Sequence, residues 1–355
     1  MRGWITSWLV VLLGVLGLMS PAALAGDEDN CDAAQLLTAS DGDIYWDAFG
    51  YSTDLFDDVA IVGAPYADIG DATYAGAAYI FEHQPDGSWL ETTKLLAADG
   101  LAYDYFGYRV KIQEDTAIVS AHHKSSQSDT PYTGAVYVFE AQADGSWIQT
   151  GKLEPSDGSS EDRFSWSIDL DGDYVIVGAY DQVNDSELST GAAYIYQRQS
   201  DGTWLETAKL LASDGAVNDR FAYSVAISGS TALVGAYLDD DNGSNSGSAY
   251  LFEQQEDGTW IESSKITDPG GSQSDYFGIA VDLDDQTAVI GASGTDINQG
   301  RCHVFKGQGD GTWASTAIIL PPPGKSDLRF GQAVSLFDDL VLIESDYQAT
   351  VFQQD

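Results

Sequence analysis

Basic residues are scarce in this chain. Of its 355 residues, 15 are Lys or Arg and 56 are Asp or Glu, for a formal net charge of −41. Nucleic acid needs a basic surface that displaces counterions from its phosphates, so it is excluded as a partner. Anionic membrane surfaces are disfavoured for the same reason. Histidine is nearly absent too. There are four, and two of them are neighbours, His122 and His123. That leaves little for general acid–base work. No G-x-S-x-G or H-E-x-x-H arrangement occurs, so no motif with a known mechanism is present. Outside the N-terminus, no long stretch carries a helical period.

Cysteine is limited to Cys31 and Cys302. One bond between them would tie down the N-terminus. The alternative is two unrelated thiols, with Cys302 a small core residue where other repeats have Ala78 or Ala193. A Cα separation decides between these, and the sequence does not supply it.

Long apolar runs are confined to the first residues. Arg2 precedes an apolar stretch from Trp8 to Met19, and Ala23, Leu24 and Ala25 form a small-residue site. This pattern predicts a signal peptide over 1–25, cleaved after Ala25. With no second apolar segment, no transmembrane segment is expected after cleavage. The mature chain is expected to be secreted, or to lie in the periplasm or at the cell surface. Loss of Arg2 takes its net charge from −41 to −42. The acidity fits a hydrated, soluble surface or the binding of cations and basic ligands.

What the chain does contain is a repeat. Phe followed by a small residue recurs at Phe49, Phe106, Phe164, Phe221, Phe277 and Phe330, with steps of 57, 58, 57, 56 and 53. Each copy continues with an apolar run ending in small residues, such as Ile61, Val62, Gly63, Ala64 and Pro65. A Gly then opens an aromatic run, as in Gly76 to Phe81. Asp-Gly-Ser/Thr-Trp follows, ending at Trp89, Trp147, Trp204, Trp260 and Trp313. Four strands per copy follow from these bounded β-branched and aromatic runs. They are named A (after the Phe), B (the apolar run), C (the aromatic run) and D (from the Trp). Six such units predict an all-β fold, a six-bladed β-propeller of four-stranded antiparallel blades. The last copy ends after strand C, and residues 35–39 match the strand D sequences at 94–97 and 209–212. The last blade is therefore expected to be closed by the N-terminal strand. The organisation becomes 1–25 signal peptide, 26–35 N-terminal segment and 36–355 propeller.

Phe-Gly followed by Gly-Ala-Pro in such a repeat resembles the FG-GAP repeats of integrin-alpha-type propellers, which also occur in secreted bacterial proteins. The resemblance runs from about Leu36 to the C-terminus. It implies an extracellular binding or adhesion module. Integrin-type blades often carry a D-x-D-x-D-G-x-x-D calcium loop between strands A and B. Here those connections, such as 55–58 and 113–116, are too short to wrap an ion with six to eight oxygens. The family's calcium sites are not carried over, and six blades depart from the seven usual for integrins.

Residues that recur in every blade read as scaffold. The Phe and Trp positions are expected to pack between blades. Asp47, Asp104, Asp162, Asp219 and Asp275, two residues before each Phe, are expected to accept backbone N–H groups. Lys94, Lys152, Lys209 and Lys265 read as edge-strand lysines that discourage aggregation.

Function is expected where the copies differ. The A–B and C–D turns share one face and are nearly uniform. The B–C and D–A loops share the other and vary, which makes that face the candidate binding surface. Its candidate ligand residues are Tyr45, Trp46, His122, His123, Asp181, Asp185, Asp239, Asp240 and Asp241. Asp239 and Asp241 are the best calcium candidates, with oxygens at alternate positions before Gly243. The expected function is non-catalytic binding of an extracellular protein or glycan on an acidic face. Alternatives are a propeller enzyme acting on glycans and a structural component of an extracellular layer.

Overall fold

The computed structural model describes residues 35–42, 46–125, 132–183, 189–309, 311–323, 329–337, 340–345 and 348–353. The predicted signal peptide, Cys31, Tyr45 and Asp185 lie outside these. Six antiparallel sheets follow one another along the chain, five with four strands and the last with three. They form a β-propeller ring. In blade 1 the strands are A (Thr53–Phe56), B (Val59–Ala64), C (Ala77–His83) and D (Trp89–Leu95), hydrogen-bonded in that order. Among the described residues helix is limited to the single turn Thr295–Asn298 in the B–C loop of blade 5. No helix among the described residues is long and apolar enough to cross a membrane.

Strand character follows position in the blade. Strand B lies between A and C and has a neighbouring blade on each side. It is therefore buried throughout, as over Thr116–Ala121 in blade 2, and its sequence is a continuous apolar run. Strand D is the outer strand and alternates between half-buried and exposed residues, as over Trp89–Leu95. Its pairing with strand C carries a bulge at Ile80/Phe81, repeated at Val138/Phe139, Ile195/Tyr196, Leu251/Phe252 and Val304/Phe305. Such a bulge increases the local twist.

The core lies between blades, not within them. Phe106 is fully buried among Ile61, Ala78, Ile80 and Leu95 of blade 1 and Tyr137 and Phe139 of its own blade. It meets Tyr137 edge-on at 5.4 Å. Phe164 with Tyr194 and Phe221 with Tyr250 repeat this at 5.5 and 5.4 Å. Burial of one such ring contributes about 1.5–3 kcal/mol.

The two glycines of the motif serve the same junction. A Cβ on Gly63 would stand 2.1 Å from the Gly107 carbonyl oxygen, and a Cβ on Gly107 would stand 2.2 Å from that of Ala77. Gly107 also has φ +94°, a region that side chains disfavour. Phe-Gly of one blade and Gly-Ala of the preceding blade are thus two halves of one close contact.

The last blade differs from the expectation. It has three strands, Ala333–Phe337, Leu340–Ser345 and Gln348–Gln353. Residues 35–39 form no ladder with the strand that contains Val351. They dock on blade 1 instead. The Gln35 amide donates to the Trp89 carbonyl at 2.8 Å and accepts from the Trp89 N–H at 2.7 Å. Leu37 is buried with Ala60, Val62 and Tyr79, as Leu95 is buried against blade 2. The segment keeps the inter-blade contacts of a strand D without its hydrogen-bond ladder.

Candidate ligand-binding face

The uniform face is built from local hydrogen bonds. In the C–D hairpins of blades 1–4 an Asp accepts from the Ser or Thr two residues on. Asp86 accepts from the Ser88 N–H at 3.0 Å and its hydroxyl at 2.6 Å, and Asp144, Asp201 and Asp257 repeat both distances. These carboxylates are engaged within their own turns.

The opposite face carries the variable loops, and here the repeated Asp residues also have local partners. Asp104, Asp162, Asp219 and Asp275 accept the N–H groups of Leu101, Ser159, Ala216 and Ser272 at 2.6–2.8 Å. The repeated lysines are not edge devices. Each turns inward to an Asp of a D–A loop and over a strand C tyrosine, because a buried phenol and a half-buried carboxylate both gain from one cation. Lys94, Lys152 and Lys265 reach Asp41, Asp99 and Asp214 at 2.9, 2.9 and 2.7 Å. Tyr79, Tyr137, Tyr194 and Tyr250 donate to Asp41, Asp99, Asp157 and Asp214 at 2.6–3.2 Å. The Lys94 hydrogen bond holds Asp41 below the usual carboxylate range. Burial opposes ionisation of Asp99, Asp157 and Asp214, but their Tyr and Lys partners outweigh it.

The acidic loop of blade 4 is absorbed into this arrangement. Asp239 is almost fully buried and accepts from Ser248 and Tyr250, each at 2.9 Å, and from Lys265 at 3.0 Å. Asp241 reaches Lys265 at 2.7 Å. Asp240 turns away to accept the Asn245 N–H at 2.7 Å. Three carboxylates adjacent in sequence do not converge, and the lysine ammonium stands where a cation would. Among the described residues no group of three or more His, Cys, Asp or Glu is arranged to hold a metal ion. Cys302 is fully buried beside Val289, Val304 and Phe330, and burial pushes its thiol pKa up.

The centre of the face is aromatic, which the acidic composition does not suggest. Two residues after the Phe, strands A of blades 1–4 present Tyr51, Tyr108, Trp166 and Tyr223, with neighbouring ring centroids 5.0, 5.2 and 5.6 Å apart. The ends of strands B add Tyr66, His122, Tyr180 and Tyr237, 3.9–6.2 Å from that row. Loop residues Tyr74, Tyr103, Tyr105 and Tyr132 extend it outward. Blade 5 has Ile279 and Ser293 at the corresponding positions and blade 6 has Gln332 in the strand A row, so among the described residues the rings form a crescent open on one side. Tyr51 is 41 % exposed, whereas Tyr108 is 6 % exposed.

His122 and His123 belong to this crescent. Burial, with the charges of His123, Arg163 and Arg109, holds His122 down at about 2. Burial and Arg163 lower His123 as well. Both rings are neutral near pH 7, and His123 Nε2 lies 2.8 Å from the Arg163 guanidinium. Asp181 pairs with Arg220, whose guanidinium lies 5.0 Å over Tyr180. Trp46 is 79 % exposed, in the first D–A loop.

Below the crescent, strands A bring Asp54, Lys111, Asp169 and Asp282 around the channel. Lys111 reaches Asp169 at 3.0 Å. Burial opposes its charge, but Asp169, Asp54 and Asp282 outweigh this and raise its pKa. Burial raises the pKa of Asp54 and of Asp282. Each also accepts a neighbouring blade's N–H, from Ile112 at 2.7 Å and Leu336 at 2.6 Å. These carboxylates serve as inter-blade fasteners.

The FG-GAP repeat model matches residues 33–81, 89–139, 147–196, 204–252 and 260–305, well over half of the chain. The chain belongs to the FG-GAP repeat family. Each later match opens on the strand D of one blade and closes on the strand C of the next. The FG-GAP unit therefore straddles two blades, and residues 35–42 stand where the strand D of the sixth blade would begin the cycle. A crystal structure of a protein from Lactobacillus plantarum superposes on the FG-GAP propeller with a TM-score of 0.57 at 16 % identity, covering 86 % of this chain and 81 % of that one. That likeness concerns the fold alone. A search of curated proteins finds no match.

Proposed function

We propose that this FG-GAP propeller is an exported, non-catalytic recognition module that binds an extracellular ligand on the aromatic crescent. The observation that carries the reading is the row of ring faces from Tyr51 to Tyr223, with partly exposed Tyr51, Tyr66 and Tyr74 at its rim. Tyr, Trp and Arg supply large contact area at low entropic cost and dominate binding hot spots. The rings stand on strand ends, so the surface is preorganised and loses little freedom on binding.

Glycan hydrolysis is the competing reading. It needs two carboxylates facing a common bond. Asp181 and Asp104, beside the crescent, are engaged by Arg220 and Lys124. His122 and His123 are held neutral and poorly basic, which suits them to packing more than to proton transfer.

The test is a panel of immobilised glycans and extracellular proteins, probed with wild type and with the Tyr51→Ala/Tyr66→Ala double variant. Retention that the double variant loses, with its melting temperature unchanged, supports the crescent. Retention that survives in the variant sinks it. Release of reducing sugar from any retained glycan would restore the enzyme reading.

A further inference from the structure

Acids outnumber bases 56 to 15 in this chain, and nearly every described cation is neutralised. Arg198, Arg220 and Arg301 pair with Glu140, Asp181 and Asp268. Lys94, Lys111, Lys124, Lys152, Lys209 and Lys265 each have a carboxylate. Arg109, Arg163 and Lys306 pair with no carboxylate among the described residues, and the first two stand in the crescent.

We propose that the crescent takes an anionic glycan, with Arg109 and Arg163 holding its carboxylate or sulfate groups while the tyrosine rings cover its sugar faces. This rests on the crescent being the binding face.

Both guanidinium groups are oriented without being neutralised. Arg109 stacks 4.9 Å over Tyr108 and 6.0 Å over Tyr51, and such stacking fixes the plane of the fork. Arg163 is held by its contact with neutral His123 at 2.8 Å, and its Nε is buried without a partner. A planar guanidinium fork matches a carboxylate or sulfate, and beyond the Arg109 contact with the Tyr108 carbonyl at 3.4 Å and the Arg163 contact with His123 both forks keep N–H donors to offer. The cation–π positions at Tyr108 and Tyr180 already hold the chain's own Arg109 and Arg220. A cationic ligand would find those ring faces taken.

A sugar polymer suits the shape better than an acidic peptide. Protein anchors fill desolvated pockets, whereas the exposed rings Tyr51, Tyr66, Tyr74, Tyr103 and Tyr132 line the open rim of the crescent. Two hollows lie elsewhere, one of about 220 Å³ beside Ser230 and Trp313 and one of about 90 Å³ beside Ile69 and Leu96. The net charge of the protein repels a polyanion at long range, but screening within about 8 Å at physiological salt leaves the short contacts to Arg109 and Arg163 in control.

Calorimetric titrations would compare oligogalacturonate with its methyl ester, dextran sulfate with dextran, and poly-glutamate as the peptide arm. The expected result is at least tenfold tighter binding of an anionic saccharide than of its neutral counterpart. Which pair shows the preference tells carboxylate from sulfate. Arg163→Gln and Arg109→Gln should each remove about tenfold of it, and leave the melting temperature and neutral-sugar binding unchanged. Arg163→Lys should recover only part of it, since a point charge replaces the fork. Equal binding within both pairs, unaffected by the Arg variants, overturns the anionic assignment and leaves the crescent standing if Tyr51→Ala/Tyr66→Ala still weakens binding. Preference for poly-glutamate, or no saccharide binding, overturns the glycan assignment.

Discussion

Lys265 Nζ stands 3.0 Å from Asp239 Oδ2, and through this pair the most acidic loop of the chain carries its own counter-charge. The same ammonium reaches Asp241 and Asp214 at 2.7 Å each. Burial opposes its charge, yet the hydrogen bonds it donates to these carboxylates raise its pKa.

Calcium should therefore leave the wild-type protein unaffected. Millimolar calcium is expected to change neither the heat of titration nor the melting temperature. Lys265→Met leaves the buried Asp239 without its cation and should cost roughly 3 kcal/mol. In that variant calcium should restore part of the loss, because three Asp side chains then surround a vacated position. A calcium response in wild type, or none in the variant, would refute this account.

The motif glycines make a sharper contrast. Gly107→Ala adds a Cβ 2.2 Å from a backbone oxygen at φ +94°. Neither side of that junction can retreat, because the Gly107 position is wedged between the Ala77 carbonyl and the Ala64 N–H of the preceding blade. The loss should exceed about 3 kcal/mol, among the largest single-site effects. Gly87 has nearly the same φ, +86°, with nothing within 4 Å of its Cβ position. Gly87→Ala should cost about 1 kcal/mol, the backbone term alone. Urea unfolding of the two variants separates contact from conformation. Equal losses would mean the inter-blade approach carries no special weight.

Much of the fold was legible because the same physical problem is solved in each blade. A ring at Phe106, Phe164, Phe221 or Phe277 must fill the same gap, so its spacing survives in the sequence. The binding face was legible only as a location. That face was read from the variation of its loops, and of the residues named there His122 and His123 join the crescent while Asp239 and Asp181 are consumed by Lys265 and Arg220. Tyr51, Tyr108, Trp166 and Tyr223 were not singled out, since each sits two residues after a Phe among residues read as scaffold. Their shared offset was the available signal. The three strands of the last copy were legible, but the missing ladder to residues 35–39 was not. Residues 35–39 resemble a strand D in their contacts, and a hydrogen-bond ladder leaves no separate mark in sequence.

Stability should fall as pH rises from about 4 to 6. Burial raises Asp162 and Asp219 to about 6, above the ordinary carboxylate value near 4. Between those values the folded protein holds protons that the unfolded chain has released, so raising the pH favours unfolding. Asp54 and Asp282 are shifted the same way by burial. The lowered groups act in the opposite sense at lower pH. For Asp268, burial opposes ionisation but His303 and Arg301 outweigh it and hold it at about 2. Its contribution is present above pH 4 and lost toward pH 2. The melting temperature should peak near pH 4–5. Self-repulsion of the net charge gives the same sign above the peak, so Asp162→Asn and Asp219→Asn are the discriminating variants. Each should flatten the descent between pH 4 and 6. Unchanged slopes would assign the whole effect to net charge.

The N-terminal segment provides a test of how the ring is held where the ladder is missing. Leu37 is 5 % exposed and packs on Ala60, Val62 and Tyr79, while its neighbour Leu36 is 82 % exposed. Leu37→Ala should cost about 2 kcal/mol, the low end for a buried leucine, because a segment without a ladder can relax toward the space left. Leu36→Ala should be neutral. Gln35→Ala removes both hydrogen bonds to the Trp89 backbone, so it should loosen residues 35–42 at a cost of about 1 kcal/mol. Hydrogen exchange would read this directly: the Ser40 N–H, which donates to Glu91 at 2.8 Å, should lose protection in Leu37→Ala and Gln35→Ala but not in Leu36→Ala. If Leu36→Ala proves the more damaging of the two leucine changes, the segment is paired with the last strand after all, and the docking on blade 1 is wrong.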